Sequence, residues 1–161
     1  MPGPIALTLP DLAATGRLAA RLAPLLRPGD ALLLQGPLGA GKSAFARALL
    51  RTLTGDPGLE VPSPSFTLVQ SYALPDGTEA HHYDLYRLAG PGDLTELGWD
   101  EARRGIVIVE WPERLGAEWP AEALLLTLSP ELSPELSPGA GEEERRATLS
   151  GWPGRLDRIT A

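Results

Sequence analysis

Two uninterrupted apolar runs mark the centre of the sequence. ALLLQ, at residues 31–35, and GIVIVEW, at residues 105–111, lack the alternation of polar and apolar positions that a half-exposed strand shows. Continuous apolar runs of this length are typical of strands that are covered on both faces in a parallel sheet. The pattern therefore predicts two central strands of an α/β fold.

Helical periodicity flanks the first of these strands. Residues 11–26 repeat apolar positions at helical spacing, and Asp11 is placed to cap the first turn. Residues 43–53 form a second helical pattern, which the sequence TGDPG ends. The order of elements is thus helix, strand, helix.

Further elements follow with weaker patterns. A short helical patch around DLTELGWDEARR precedes the second apolar run, and ALPDGTE is typical of a hairpin turn. Four segments predict additional strands, the first of them preceded by a proline-containing loop: 61–72, 81–88, 123–128 and 145–150. The whole length of 161 residues suits a single domain, 1–161.

The segment between the last two predicted strands has a different composition. SPELSPELSPGAGEEE repeats SPEL twice, and its Pro, Ser and Glu residues favour solvent over a packed core. We therefore expect a solvated loop insertion at 129–144.

Composition limits the expected cellular location of the protein and the classes of partner that it can bind directly. No apolar run approaches the roughly 20 residues of a membrane helix, and the N-terminus lacks a signal-peptide pattern, so we expect a cytoplasmic protein without membrane contact. The net charge of −7 argues against a broad nucleic-acid-binding surface, so contact with RNA is expected to run through a partner. The absence of cysteine excludes disulfides, thiolate nucleophiles and cysteine zinc sites.

The sequence GPLGAGKS carries the strongest chemical signal. Residues 36–43, called the glycine loop below, satisfy the pattern GxxxxGK[ST] between a predicted strand and a predicted helix. In this pattern backbone N–H groups surround phosphates, Lys42 reaches the outer phosphates and the Ser43 hydroxyl binds magnesium. Lys42 is the only lysine among the 14 basic residues, which favours a specific role for its ammonium. The alternative to a phosphate-binding loop is a chance glycine turn between a strand and a helix.

We therefore predict a site for ATP and Mg²⁺. Its nucleotide-binding residues are predicted to be Gly36, Leu38, Gly39, Ala40, Gly41, Lys42, Ser43 and Ala44. The predicted fold class is α/β, a single P-loop NTPase-like domain. Its central sheet is expected to be mostly parallel, flanked by helices and completed by antiparallel C-terminal strands.

Two acids are candidates for the magnesium site. Glu110 closes the second apolar run, where a phosphate-binding fold places a carboxylate near magnesium, although a solvated strand-end acid is the alternative. Asp84 lies within the predicted strand 81–88, where an acid is costly unless it is paired or bound to metal. Its alternative role is a structural ion pair with Arg87.

Three other features have less specific interpretations. The hydroxyl-rich segment SPSFT, residues 63–67, is either a phosphate-sensing switch or a capped turn. Neighbouring strand residues face opposite sides, so His81 and His82 are expected to be structural or to support the site rather than to share a metal. Trp111 is a wall near the nucleotide, an anchor for a partner or plain core.

The class of phosphate-binding protein is not fixed by the glycine loop. A GTPase of the usual kind would need the motif NKxD, and the chain contains no asparagine. A small-molecule kinase stays open, although no segment resembles an arginine-bearing lid. A third possibility is an interaction module that ATP organises for a partner.

The motifs taken together strongly resemble the TsaE (YjeE) family, the bacterial ATPase of tRNA threonylcarbamoyladenosine synthesis. The resemblance is carried, over most of residues 5–128, by GPLGAGKSAF, VPSPSFTLVQSY, HHYDLYRL, DLTELGWDE and IVIVEWPERL. It implies an ATPase that is slow alone and works with TsaB- and TsaD-like partners. It also implies support for the enzyme that places threonylcarbamoyl on adenosine 37 of certain tRNAs, with tRNA contacted through the complex.

The resemblance also implies roles for individual residues. It makes Gly39 to Ser43 the phosphate site and Ser43 and Glu110 the magnesium ligands, with Asp84 as a supporting catalytic acid that also lies at the metal. Thr15 and Arg146 match family residues near the nucleotide. The chain departs from the family pattern at Pro37, Ala44 and Ser65, whereas Ser43 keeps the hydroxyl.

Overall fold

The computed structural model describes residues 4–37, 39–130, 145–152 and 155–156. Within these ranges one sheet contains seven strands in the order β1-β7-β6-β2-β5-β4-β3. The strands are β1 (Ile5–Leu9), β2 (Ala31–Gln35), β3 (Val69–Ala73), β4 (Glu79–Asp84), β5 (Ile106–Glu110), β6 (Leu124–Pro130) and β7 (Arg145–Ser150).

The helices are α1 (Leu12–Leu22), α2 (Lys42–Thr54) and the short α3 (Trp99–Ala102). Three 3₁₀ segments accompany them: Ala23–Leu25, Pro91–Leu97 and Pro112–Glu118. The Asp11 carboxylate accepts the Ala14 N–H at 2.8 Å and so caps α1 as predicted. The first helix ends at Leu22, short of the predicted residue 26, because the chain tightens to 3₁₀ geometry around Pro24.

The centre of the sheet is parallel and its edges are antiparallel. Strand β2 pairs in parallel with both β5 and β6, and β5 pairs in parallel with β4. The pairs β3–β4, β6–β7 and β1–β7 are antiparallel. The predicted α/β class, with a mostly parallel core and antiparallel C-terminal strands, is confirmed.

Both faces of the central strands are covered, which explains their continuous apolar sequences. On one face Leu32 and Leu34 pack in a buried cluster with Phe45 and Leu49 of α2. On the other face Leu33 of β2 belongs to a second buried cluster that also contains Tyr83 and Trp99.

Strands β1, β4 and β6 differ from the prediction. Strand β1 was not predicted, and it lies at the sheet edge in antiparallel register with β7. Strand β4 ends at Asp84, not at residue 88, because the Asp84 carboxylate accepts the Tyr86 N–H at 3.1 Å and closes a turn. Strand β6 extends through Ser129 and Pro130, so the predicted loop begins too early. Its remaining residues, 131–144, lie outside the described residues.

Candidate functional site

The glycine loop joins the end of β2 to the start of α2, as predicted. Gly36 lies so close to the carbonyl oxygen of Leu128 that a Cβ atom would collide with it. Gly41 has a φ of 99°, which a side chain rarely adopts, immediately before α2 begins at Lys42. The loop therefore needs glycine at both positions. Leu38 lies outside the described residues.

A cavity of about 310 Å³ opens at the carboxyl ends of β2, β4 and β5. Its described lining consists of Gly39, Ala40, Gly41, Lys42, Ser43, Ala44, Ser63, Ser65, Asp84, Glu110 and Trp111. The fold thus brings the glycine loop, both predicted acids and the hydroxyl-rich segment to one place. Ligands of open α/β sheets bind at this edge of the strands.

Glu110 connects the glycine loop to the neighbouring strand. The Ser43 hydroxyl donates to Oε1 of Glu110 at 3.0 Å, and Oε2 lies 2.6 Å from Nε2 of His82. Glu110 and His82 are 2% and 1% exposed, so neither is a solvated surface group. The alternative interpretation of Glu110 as a solvated strand-end acid is therefore wrong.

Lys42 lies between the loop backbone and an aromatic ring. Its Nζ donates to the carbonyl of Gly36 and lies 3.4 Å from the centroid of the Trp111 ring. Burial lowers the pKa of the Lys42 ammonium from its ordinary value, while the carboxylates of Glu110, Glu113 and Asp84 act in the opposite direction. Trp111 therefore forms a wall of the cavity, as one of its interpretations predicted.

Asp84 lies opposite Glu110 in the parallel register of β4 and β5. Its Oδ2 accepts from the Ser65 hydroxyl at 3.3 Å, and the hydroxyls of Ser63 and Ser65 lie 2.9 Å apart. Among the described contacts there is no ion pair between Asp84 and Arg87, whose guanidinium lies 4.8 Å from the centroid of the Phe66 ring. Asp84 is thus linked to the hydroxyl-rich segment.

Two residues assigned to the site from the family resemblance do not belong to the described lining of the cavity. Thr15 is buried on α1, donates to the Asp11 carbonyl at 3.4 Å and is absent from the described lining of the cavity. Arg146 is exposed on β7 in register with Thr8. Neither position is brought to the glycine loop by the contacts that the structure describes.

Arg145, the neighbour of Arg146, contacts the glycine loop instead. Its Nε donates to the Ala40 carbonyl at 3.0 Å, and its Nη2 donates to the Gly39 carbonyl at 3.1 Å. Adjacent residues of a strand point to opposite faces, so only one of the two arginines can lie against the loop. The adjacent arginines at positions 145 and 146 make both residues candidates for contact with the glycine loop from the sequence alone. Only the register of β7 shows which of them makes that contact.

Replacing Arg145 with alanine is expected to weaken ATP binding about five- to tenfold, because its two hydrogen bonds to carbonyls of the glycine loop are lost. The matched control is Arg146→Ala, which removes the same charge from the exposed face of the same strand. Calorimetric titration with ATP measures both variants. Equal affinities for the two variants would contradict this role for Arg145.

The two histidines face opposite sides of the sheet, as expected. Nδ1 of His81 lies 2.7 Å from the Ser71 hydroxyl, whereas His82 contacts Glu110.

In the described part of the chain no group of three or more His, Cys, Asp or Glu residues could hold a metal. Within the same ranges, every helix falls short of the length and apolarity needed to cross a membrane.

A sheet whose central parallel strands present a glycine loop, a lysine and two neighbouring acids at their carboxyl ends defines a P-loop-like α/β domain. Residues 9–135 match the family model described as "Threonylcarbamoyl adenosine biosynthesis protein TsaE". The chain belongs to the TsaE family.

Individual relatives agree with this membership. A Rickettsia felis protein named "tRNA threonylcarbamoyladenosine biosynthesis protein TsaE" is 43% identical over 100 residues, which cover 62% of this chain and 57% of the relative. The chain therefore spans less than two thirds of that relative's length. A Bacillus subtilis protein of the same name is 31% identical over 150 residues, which cover 90% of this chain and 84% of the relative.

A solved structure has the same fold. The crystal structure of YdiB from Bacillus subtilis superposes with a TM-score of 0.71 and 27% sequence identity. The superposition covers 99% of this chain and 93% of YdiB.

Proposed function

We propose that the protein binds ATP with magnesium and hydrolyses it in support of tRNA threonylcarbamoyladenosine modification, in the cytoplasm and together with TsaB- and TsaD-like partners. The observation that carries the ATP site is the 3.0 Å hydrogen bond between Ser43 and Glu110, which lie 67 residues apart in the sequence. It joins the last residue of the glycine loop to a buried acid on a neighbouring strand. The pathway rests on family membership.

The phosphates are assigned to the glycine loop. The positive end of α2, a helix of 13 residues, begins at Lys42 and faces the cavity. When phosphate binds, the Lys42 ammonium exchanges the Gly36 carbonyl for phosphate oxygens. Its buried position means that little bulk water is available to screen this attraction.

The residues at the cavity fit magnesium. Ser43 supplies a hydroxyl, and Glu110 and Asp84 supply carboxylates, so the candidate ligands are all hard oxygen donors. Magnesium in nucleotide sites takes one or two carboxylates from the protein and further oxygens from the phosphates, which suits this small set. Bound magnesium would neutralise charge that develops on the phosphate oxygens during transfer.

The remaining roles follow from the contacts of Asp84. Its link to Ser65 connects a carboxylate at the cavity to the segment 63–67, which is exposed at Phe66. We assign Asp84 to positioning in the transition state and the segment 63–67 to sensing the outer phosphate. A partner that contacts this segment would then act on the reacting phosphate through Asp84.

The isolated protein is expected to release phosphate slowly, and TsaB- and TsaD-like partners are expected to accelerate it at least about tenfold. The described lining of the cavity contains no arginine, and an arginine supplied in trans is worth about a thousandfold or more in phosphoryl transfer. Phosphate release with and without purified partners measures the effect, alongside a tRNA modification assay over many turnovers.

Two outcomes would contradict the proposal. Fast hydrolysis by the protein alone would remove the need for partners. A phosphorylated small-molecule product, with partners having no effect on either assay, would favour the kinase alternative.

A further inference from the structure

His82 is a buried histidine, and only one of its two ring nitrogens has a hydrogen-bond partner among the described residues. The residue is 1% exposed, and its Nε2 lies 2.6 Å from Oε2 of Glu110. Its Nδ1 is also buried and has no hydrogen-bond partner among the residues that the structure describes. A buried polar atom without a partner destabilises a fold, so packing alone does not explain a histidine at this position.

The two oxygens of Glu110 have different partners. Oε1 accepts from the Ser43 hydroxyl at 3.0 Å, and Oε2 faces His82. An ionised carboxylate only accepts hydrogen bonds, so the tautomer of His82 that protonates Nε2 is the one that can donate to Glu110. A glutamate has several rotatable bonds, and this second bond restricts the rotation of its carboxylate.

His82 is positioned by the pairing of its strand and does not line the cavity. It lies on β4 in register with Ile108 of β5, two residues before Glu110, and it does not belong to the described lining of the cavity. Any effect of His82 on a bound nucleotide must therefore pass through Glu110.

We propose that His82 is a positioning residue for the magnesium site. Its Nε2–H holds Oε2 of Glu110, which keeps Oε1 beside the Ser43 hydroxyl, where the cation would be held. Partners of metal-binding groups act in this way, and their loss typically reduces metal affinity by about ten- to a hundredfold. The inference rests on the proposed function, because it assumes that Ser43 and Glu110 hold magnesium with ATP.

Two amide substitutions separate positioning from packing. In His82→Gln the side-chain nitrogen occupies the ε position, as Nε2 of histidine does, so the bond to Glu110 can be kept. In His82→Asn the same amide ends one bond earlier and cannot reach Oε2. His81→Asn is the matched control, because His81 faces the other side of the sheet and contacts Ser71.

The experiment is calorimetric titration of the full chain with ATP, once with magnesium and once with EDTA. His82→Asn is expected to weaken binding about tenfold with magnesium and to leave binding in EDTA unchanged. His82→Gln and His81→Asn are expected to stay within about threefold of the unchanged protein under both conditions.

The contrary results are distinct. If His82→Asn binds ATP as the unchanged protein does with magnesium, or weakens binding equally with and without it, the positioning role is overturned. If the unchanged protein binds ATP equally well in both conditions, the magnesium site itself fails, and the inference fails with it.

A measurement on the unchanged protein keeps the test valid even if His82→Asn does not fold. The chain has only two histidines, so ¹⁵N spectra of the imidazole rings can be assigned with His81→Asn. A protonated Nε2 on His82 is expected. An unprotonated Nε2 would overturn the proposed donation to Glu110.

Discussion

Replacing Lys42 with alanine is expected to weaken ATP binding by about a hundredfold or more, because charge-assisted hydrogen bonds to phosphate are lost from a buried site. Arg47→Ala is the matched control, since it removes a positive charge from the exposed face of the same helix. Calorimetry measures the affinity, and the melting temperature shows whether each variant is folded. Near-normal affinity of Lys42→Ala for ATP would contradict the assignment of the glycine loop as the phosphate-binding site.

Lys42→Arg is expected to bind ATP poorly as well. The Lys42 side chain is 5% exposed, with its ammonium between the Gly36 carbonyl and the Trp111 ring. A planar guanidinium is wider than an ammonium and cannot occupy the same place without displacing one of these groups. This variant keeps the positive charge, so a loss of affinity would show that the shape of the cation matters.

Replacing Glu110 or Asp84 with its amide is expected to reduce partner-stimulated phosphate release by about a hundredfold or more, because Glu110 is assigned to magnesium and Asp84 to positioning in the transition state. Asp84→Asn should still bind ATP, since Asp84 contacts Ser65 rather than the glycine loop. Glu110→Gln should also lose the magnesium dependence of binding, because Glu110 contacts Ser43.

Glu113→Gln is the control for these two variants. Glu113 is exposed and lies in the 3₁₀ segment after β5, and its carboxylate acts to raise the pKa of Lys42. Its amide variant should release phosphate within about threefold of the unchanged rate, as expected for a screened surface charge. Normal phosphate release by Glu110→Gln or Asp84→Asn would contradict the catalytic assignments.

The sequence by itself determined the elements whose signals are local. The strand 31–35, the helix after the glycine loop and the Asp11 cap all appear where the pattern predicts them. Hydrophobic periodicity and capping act over a few residues, so a single sequence reports them directly. The alternation of Ile5, Leu7 and Leu9 was also present, but the strand forms at the edge only by pairing with β7.

The structure brings the predicted site residues together where their motif is continuous in sequence. Residues 39–43 of the glycine loop line the cavity together with Ala44 and both predicted acids, whereas Gly36 is not part of the described lining. The loop is encoded by consecutive residues, and Glu110 was identified by its place at the end of a strand. Binding of ATP and magnesium to these residues stays a prediction.

Only the tertiary structure decided which distant residues meet. The parallel register of β4 and β5 sets Asp84 opposite Glu110, and it brings His82 within reach of the same carboxylate. The antiparallel placement of β7 turns Arg145, not Arg146, toward the glycine loop. Strand order and register depend on contacts between segments far apart in sequence, and a shift of one residue reverses every side chain, so local patterns do not determine them.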